Sequence, residues 1–285
     1  MKPEFEEKTY ESYFNTELSS KSSFYYPIGQ VQEGFLGFDS AANSRNWRLW
    51  RRIGFPFWFF PHFIGVNLRE IADEMEFILR EEIKHVPRMR VNILFQYKRP
   101  EFIKSKKGKE WSNWNQEYFR YDIYQEQQDL LMSIYYKFQD EVLLIYAAPS
   151  MYRMEELVNA FQRGRVIELS NFRKADELNN HNRNTFIESG THSIACSNPQ
   201  KIENFDLINL IESYQSNINY DDNREFIIRM RKRIEQIMKE HKKYSDLFQK
   251  LNEPFEKIQK NSLFYSFVVM SNFRLLTGIQ WMIKI

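Results

Sequence analysis

Two polar side chains at the end of an apolar stretch have the right types and spacing to do chemistry together. The segment RVNILFQYKRPEF, residues 90–102, alternates like a strand, so the side chains at positions 96 and 98 fall on one face. Gln96 and Lys98 would therefore project side by side. An oxygen ligand beside an amine suits phosphodiester cleavage, because the oxygen can hold a divalent cation and the amine can stabilise developing negative charge.

Such a site also needs carboxylates from elsewhere in the chain. The segment QEGFLGFDS, residues 32–40, offers Glu33 and Asp39. We predict a short helix around residues 31–36, which would carry Glu33, and an extended segment that begins near Asp39 after two glycines.

Taken in this order, the acidic residues and the Gln-Tyr-Lys strand end resemble the PD-(D/E)XK nuclease superfamily. The resemblance implies that Glu33 is the helix acid, Asp39 the strand acid and Lys98 the catalytic lysine, with Gln96 in the place of the second acid. It also implies Mg²⁺ or Mn²⁺ held by Glu33, Asp39 and Gln96. The implied fold is α/β, a restriction-endonuclease-like core with a central mixed β-sheet flanked by helices.

The resemblance covers residues 26–150 and departs from the family pattern in two ways. Gln96 replaces an acid, so the site loses one negative charge and Glu33 becomes more important for metal binding. The distance along the chain from Asp39 to Gln96 also requires an insertion at about residues 45–88. A catalytically silent module that binds nucleic acid or a partner protein through the same fold is the alternative, and Lys98 as a simple strand cap is a third reading.

Polar residues on either side of the key strand extend the candidate site. In the helix expected at 124–138, the glutamines at 125, 127 and 128 could orient phosphate or metal-bound water, as polar residues of that helix do in some members of the superfamily. Basic residues interleaved with tryptophans suit a phosphate backbone and exposed bases. For the nuclease that the resemblance implies, DNA is the expected substrate more than RNA. These candidates for nucleic-acid binding are Arg99, Lys104, Lys106, Lys107 and Lys109. The alternative is that the lysines solubilise a hairpin tip.

Composition excludes several classes of protein. The 285 residues are 42% hydrophobic, with a net charge of +2, and there is a single cysteine, so no disulfide can form within the chain. The N-terminal residues are acidic and polar rather than signal-like, and the aromatic stretch 53–66 is too short to span a bilayer. These features predict a cytoplasmic protein that makes no membrane contact. Neither a phosphate-binding P-loop nor a G-X-S-X-G nucleophile motif is present.

The hydrophobic pattern predicts two parts. Residues 1–203 would form the nuclease-like core with an N-terminal arm, with apolar strands near 90–97 and 141–150 and helices at 67–86 and 124–138. Residues 204–285 read as an all-helical extension, suited to contact with a regulatory protein or a second copy. The family resemblance alone implies an effector of a bacterial restriction or anti-phage defence system.

Two further groups of residues carry weaker signals. In the run RMRKR, residues 229–233, we expect Arg229, Arg231, Lys232 and Arg233 to face solvent. The apolar stripe of the same helix contains Ile227, Met230, Ile234 and Ile237. The spacing of His192 and Cys196 could suggest zinc, but four ligands are needed. A buried Cys196 thiol with His181 and His192 on the surface is the preferred interpretation.

Overall fold

The computed structural model describes residues 1–27, 68–187, 192–214, 222–256, 258–260 and 262–285. The α-helices in these residues are α1 (Glu7–Lys21), α2 (Leu68–His85), α3 (Trp111–Trp114), α4 (Gln125–Phe138), α5 (Met154–Gln162), α6 (Leu207–Ser213), α7 (Asn223–Glu240), α8 (Ser245–Asn252) and α9 (Leu263–Thr277). The strands are β1 (Phe24–Tyr25), β2 (Val91–Tyr97), β3 (Glu101–Ile103), β4 (Tyr118–Asp122), β5 (Val142–Pro149), β6 (Ser170–Lys174), β7 (Arg183–Phe186), β8 (His192–Cys196), β9 (Gln200–Glu203) and β10 (Gln280–Lys284).

The main sheet has the strand order β1-β10-β2-β5-β6 within the described residues. β2 runs parallel to β5, and α4 lies between the two in the chain. β10 lies on the other side of β2 and is antiparallel to it. Every residue of β2 and of β5 is buried, which is the pattern of strands covered on both faces. The sheet is therefore mixed and carries β2 near its centre.

The two faces of β2 have different partners. The odd-numbered side chains face α1, where the ring of Phe14 lies 5.4 Å from that of Phe95, centroid to centroid. Leu94 belongs to the larger apolar cluster on the opposite face. On that second face the indole of Trp281 donates a 2.9 Å hydrogen bond to the Asn92 side chain. The alternation predicted for residues 91–97 is confirmed.

A second sheet has the order β3-β4-β7-β8-β9, and all of its strand pairs are antiparallel. Arg173, on edge strand β6 of the main sheet, joins the two sheets. Its fully buried guanidinium donates to the hydroxyl of Ser193 and, over 2.9 Å, to the carbonyl of Glu203. The second sheet includes the short polar strands β7 and β9, which the apolar runs of the sequence do not indicate.

The predicted mixed α/β class is confirmed, whereas the restriction-endonuclease-like core stays a prediction. The helices at 67–86 and 124–138 and the strands near 90–97 and 141–150 are present within one or two residues of the predicted bounds. Of the helices that the structure describes, none has the length and apolar character that crossing a bilayer requires.

The prediction that residues 204–285 are all-helical is wrong. Helix α9 ends at Thr277 because Gly278 adopts a left-handed conformation, with φ 73°, which glycine enters without steric cost. The chain then turns into β10, which pairs with β1 on one side and β2 on the other. The final part of the described chain therefore supplies a central strand of the main sheet.

Candidate functional site

Gln96 and Lys98 are brought together at the carboxyl end of β2. The backbone N–H of Lys98 donates to the carbonyl of Ala147 at 2.9 Å, which extends the parallel pairing by one residue. The Lys98 ammonium donates a 2.7 Å hydrogen bond to Oε1 of Gln127, in the first turn of α4. Nε2 of Gln127 in turn donates to Oε1 of Gln96 at 2.6 Å. Gln127 therefore bridges the two side chains, which share one face of the strand.

Two aromatic rings also lie close to the Lys98 ammonium. The ammonium lies 5.2 Å from the ring centroid of Tyr124 and 5.4 Å from that of Tyr146, within the range of cation–π attraction. The hydroxyl of Tyr146 donates to Gln128 at 2.8 Å, and Gln128 donates to the carbonyl of Ala175 at 2.7 Å. These hydrogen bonds fix the tyrosine ring against the amine.

The Lys98 ammonium is buried without an ion pair to any side chain that the structure describes. The residue is only 6% exposed. Burial lowers the pKa of Lys98 to about 8, and the charges of Glu7 and Asp122 oppose this shift. Asp122 is itself ion-paired with Arg183 at 2.7 Å. Lys98 thus combines a neutral polar partner with a proton that it releases close to physiological pH.

Glu7 is the described carboxylate that acts most strongly on Lys98. It lies in the first turn of α1 and is partly buried. Burial raises the pKa of Glu7, and the charge of Lys98 opposes that rise. No ion pair joins Glu7 to a described side chain, so its oxygens are not committed elsewhere in that part of the chain.

Glu33 and Asp39, the predicted metal-binding carboxylates, lie outside the described residues, as does the aromatic stretch 53–66. Among the residues that the structure describes, no group of three or more His, Cys, Asp or Glu side chains could hold a metal ion. The amide oxygen of Gln96 suits a hard divalent cation, because it keeps one lone pair beyond the hydrogen bond from Gln127. Gln96 alone does not make a metal centre, and further carboxylates are required.

The predicted nucleic-acid-binding residues divide into two groups. The guanidinium of Arg99 is held by Glu6 at 2.9 Å and by the carbonyl of Pro3 at 2.6 Å. Lys104 lies over the rings of Phe102 and Tyr152. Lys104 is exposed, as are Lys106, Lys107 and Lys109 on the turn that follows β3. The four lysines are therefore exposed to solvent, whereas the Arg99 guanidinium is held by the N-terminal arm.

The basic run of α7 is largely engaged inside the protein. Arg231 was expected to face solvent, and this is wrong: it is 3% exposed and pairs with Glu235 at 2.7 Å. Position 231 follows Ile227 by four residues, so it falls on the apolar stripe. Arg229 and Arg233 both contact Glu141. This face of α7 is therefore held mostly by ion pairs.

The zinc interpretation gains no support in the described part of the chain. The Cys196 thiol is buried, as predicted, and burial raises its pKa. His192 stacks on Trp114 with ring centroids 5.1 Å apart. His181 is only 9% exposed and contacts Gln200, so the prediction that it lies on the surface is wrong.

Sequence reasoning missed three residues of the site and did not single out a fourth from its neighbours. Tyr124 and Tyr146 read as ordinary aromatic residues, because nothing in their local pattern shows that they face a lysine. Glu7 has the position of a first-turn acid, which signals a helix start rather than a partner for Lys98. Gln127 was one of three candidate glutamines, and only the fold distinguishes it from exposed Gln125 and buried Gln128.

Comparisons with known proteins found no matching family model, no matching curated protein and no matching solved structure.

Proposed function

We propose that this protein is a metal-dependent nuclease that hydrolyses phosphodiester bonds, in DNA more than in RNA. The observation that supports it is the state of Lys98: a buried ammonium at the end of a parallel strand, held by a neutral glutamine next to a second amide. A buried lysine that serves structure alone is normally matched by a carboxylate. A buried lysine without a carboxylate partner can interact with a charged ligand instead. Amines with a perturbed pKa are concentrated at functional sites.

Lys98 would act on the phosphate or on the attacking water. Its pKa of about 8 leaves the side chain mostly protonated at neutral pH yet able to exchange its proton. The protonated amine would stabilise the charge that builds on the phosphate oxygens in the transition state. Gln127 would position Lys98 through its 2.7 Å hydrogen bond rather than touch the substrate.

Mg²⁺ or Mn²⁺, when bound, would neutralise phosphate charge and lower the pKa of a bound water. Gln96 would contribute its amide oxygen, and Asp39 and Glu33 the carboxylates that the family resemblance implies. Glu7 is a second candidate for the helix acid because it lies in the first turn of a helix and its charge acts on Lys98. In this arrangement, Lys106, Lys107 and Lys109 would contact the nucleic-acid backbone.

Supercoiled plasmid provides the first test. We expect nicking in the presence of Mg²⁺ or Mn²⁺ that EDTA abolishes, and that Lys98→Met and Asp39→Asn reduce by at least about 100-fold. Lys284→Met is the matched control, since Lys284 is a buried lysine at the opposite end of the same sheet. A plasmid that shifts in a gel but stays intact under all these conditions would overturn the enzyme and favour the silent binding module.

A second comparison identifies the helix acid. Glu7→Gln and Glu33→Gln each remove one carboxylate without changing side-chain size. The variant that raises the Mg²⁺ concentration needed for half-maximal nicking marks the metal-binding acid, and the other should behave like the wild type.

The wider setting is also a proposal. A nuclease of this kind would work in the cytoplasm as an effector of restriction or anti-phage defence, and such an effector needs control by a regulatory protein or a second copy. Size measurement in solution, with and without DNA, tests whether the chain self-associates.

A further inference from the structure

A cavity lies at the opposite end of the main sheet from Lys98. β6 pairs with β5 from Ile145 to Pro149, so Val142 and Leu143 continue along an edge where β6 supplies no partner. These two residues and Leu144 form one wall of a cavity of about 510 Å³. This volume lies within the range of small-molecule sites.

Aromatic and acidic side chains form the remaining walls of the cavity. Tyr135 and Tyr136 come from the last turn of α4, with their rings edge to face at 5.6 Å between centroids. Tyr214 comes from the end of α6. Asp140 follows α4, and Asp176 begins the turn after β6. Separate elements of the fold thus bring three tyrosines and two aspartates to one space.

These groups influence one another electrostatically. The pKa of Tyr135 is raised, first by the charge of Asp176. The pKa of Tyr214 is raised by burial and then by the charges of Asp140 and Asp176. The phenols of Tyr135 and Tyr214 therefore stay neutral, and both aspartates act on these two tyrosines.

The cavity wall carries one net negative charge. Asp140 and Asp176 contribute two carboxylates, and Lys174 contributes one ammonium. Asp176 makes no ion pair with a side chain in the described part of the chain. A cation entering the cavity would face the carboxylate of Asp176.

We propose that this cavity binds an alkylammonium cation, with the tyrosine rings around its methyl or methylene groups and Asp176 facing its charge. Aromatic rings attract such cations through their negative faces, and a nearby carboxylate adds Coulomb attraction. The site is separate from the one built on Lys98, because β2 and β5 are parallel and the cavity lies where β5 begins. It does not depend on nuclease activity.

A matched pair of probes tests the role of charge. Choline and 3,3-dimethyl-1-butanol have nearly the same shape, and only choline is charged. Calorimetric titration of the full chain should show choline binding at least about ten-fold more tightly than the neutral alcohol. Equal binding of the two probes, or binding of neither in the millimolar range, overturns the proposal.

Variants of the lining residues test which groups recognise the cation. Tyr214→Leu should weaken choline binding by about five- to thirty-fold, whereas Tyr214→Phe keeps the ring and should bind like the wild type. Asp176→Asn should weaken binding, and Lys174→Met should strengthen it because a competing cation is removed. Thermal unfolding of each variant controls for folding. Unchanged binding in both Asp176→Asn and Lys174→Met would contradict the charge argument.

Two sources could supply such a cation, namely a free small molecule or a methylated lysine of a protein. Choline and a short peptide containing trimethyl-lysine carry the same head group. Tighter binding of the peptide identifies a protein ligand, and equal or weaker binding identifies a free cation.

Discussion

The two ends of the main sheet each hold a buried lysine, and the two are treated differently. At one end, Lys284 of β10 contacts Glu212 at 2.9 Å and the hydroxyl of Ser22 at 2.9 Å. At the other end, Lys98 contacts the amide of Gln127 and two tyrosine rings, with no ion pair in the part of the chain that the structure describes. Both lysine residues are 6% exposed.

Under the proposed function, this difference is the one expected between a structural cation and a reactive one. The charge of Lys284 is neutralised by an acid that also contacts solvent, so the pair fixes the end of β10 against α6. The charge of Lys98 has no such partner, and the cost appears as a pKa lowered by burial. Stability given up at one position in exchange for function is a common feature of active sites.

Arginine substitution should reveal the largest difference between the two ends. Lys98→Arg keeps the positive charge but removes the ability to release a proton, and its larger head group must fit beside the rings of Tyr124 and Tyr146. We expect the plasmid nicking rate to fall by at least about 100-fold. Lys284→Arg can still pair with Glu212 and should change the rate by less than about two-fold. Similar losses in both variants would remove the distinction.

Stability should depend on pH through Lys98. The pKa of Lys98 is about 8 in the folded protein and about 10.5 in the unfolded chain. Between these pH values the unfolded chain holds a proton that the folded chain lacks. Stability therefore rises with pH across this window, by about 3 kcal/mol in total. Denaturant unfolding of the wild type and Lys98→Met should show a gain for the variant at pH 7 that shrinks as the pH approaches 10. A constant difference would contradict the lowered pKa.

Giving Lys98 a carboxylate should make it resemble Lys284. Gln127→Glu places an acid at the atom that accepts the 2.7 Å hydrogen bond, which should raise the pKa of Lys98 by about 1 to 3 units. We expect nicking to fall by about ten-fold at neutral pH. Carbon NMR of the reductively methylated lysine measures the pKa. Gln125→Glu, on the exposed side of the same turn, is the control and should leave the pKa unchanged.

The smallest effect is expected at the structural end. Lys284→Met breaks a pair whose acid, Glu212, remains hydrated, so it should cost only about 1 kcal/mol of unfolding free energy at pH 7. Nicking should remain at the wild-type rate. Urea unfolding measures the loss. A gain in stability would contradict the structural role assigned to Lys284.

The sequence predicts the apolar elements of this fold well and its polar elements poorly. β2, β5, α2 and α4 follow from strong hydrophobic periodicity. β7, with the sequence RNTF, and β9, with QKIE, are short and polar, and only pairing with neighbouring strands makes them strands. β10 continues an apolar run after α9, and Gly278 was the one local signal that the helix ends.

The candidate site is predictable to a similar extent. Alternation along one strand is enough to place Gln96 and Lys98 on the same face. The groups that surround Lys98 come from α1, α4 and β5, and their convergence, which buries the ammonium and so lowers its pKa, depends on tertiary packing. No local pattern contains that information, which is why Tyr124, Tyr146 and Glu7 were missed.

The position of β10 also affects how the protein can fold during synthesis. β2 is complete at Tyr97, but the strand that covers one of its edges begins about 180 residues later, at Gln280. At ordinary translation rates the ribosome needs roughly 10 to 40 s to make that length of chain. During this interval the apolar edge of β2 has no antiparallel neighbour from β10 and is open to wrong partners. A nascent chain stalled before Gln280 should therefore be much more sensitive to protease than one in which β10 has been made and has left the ribosome.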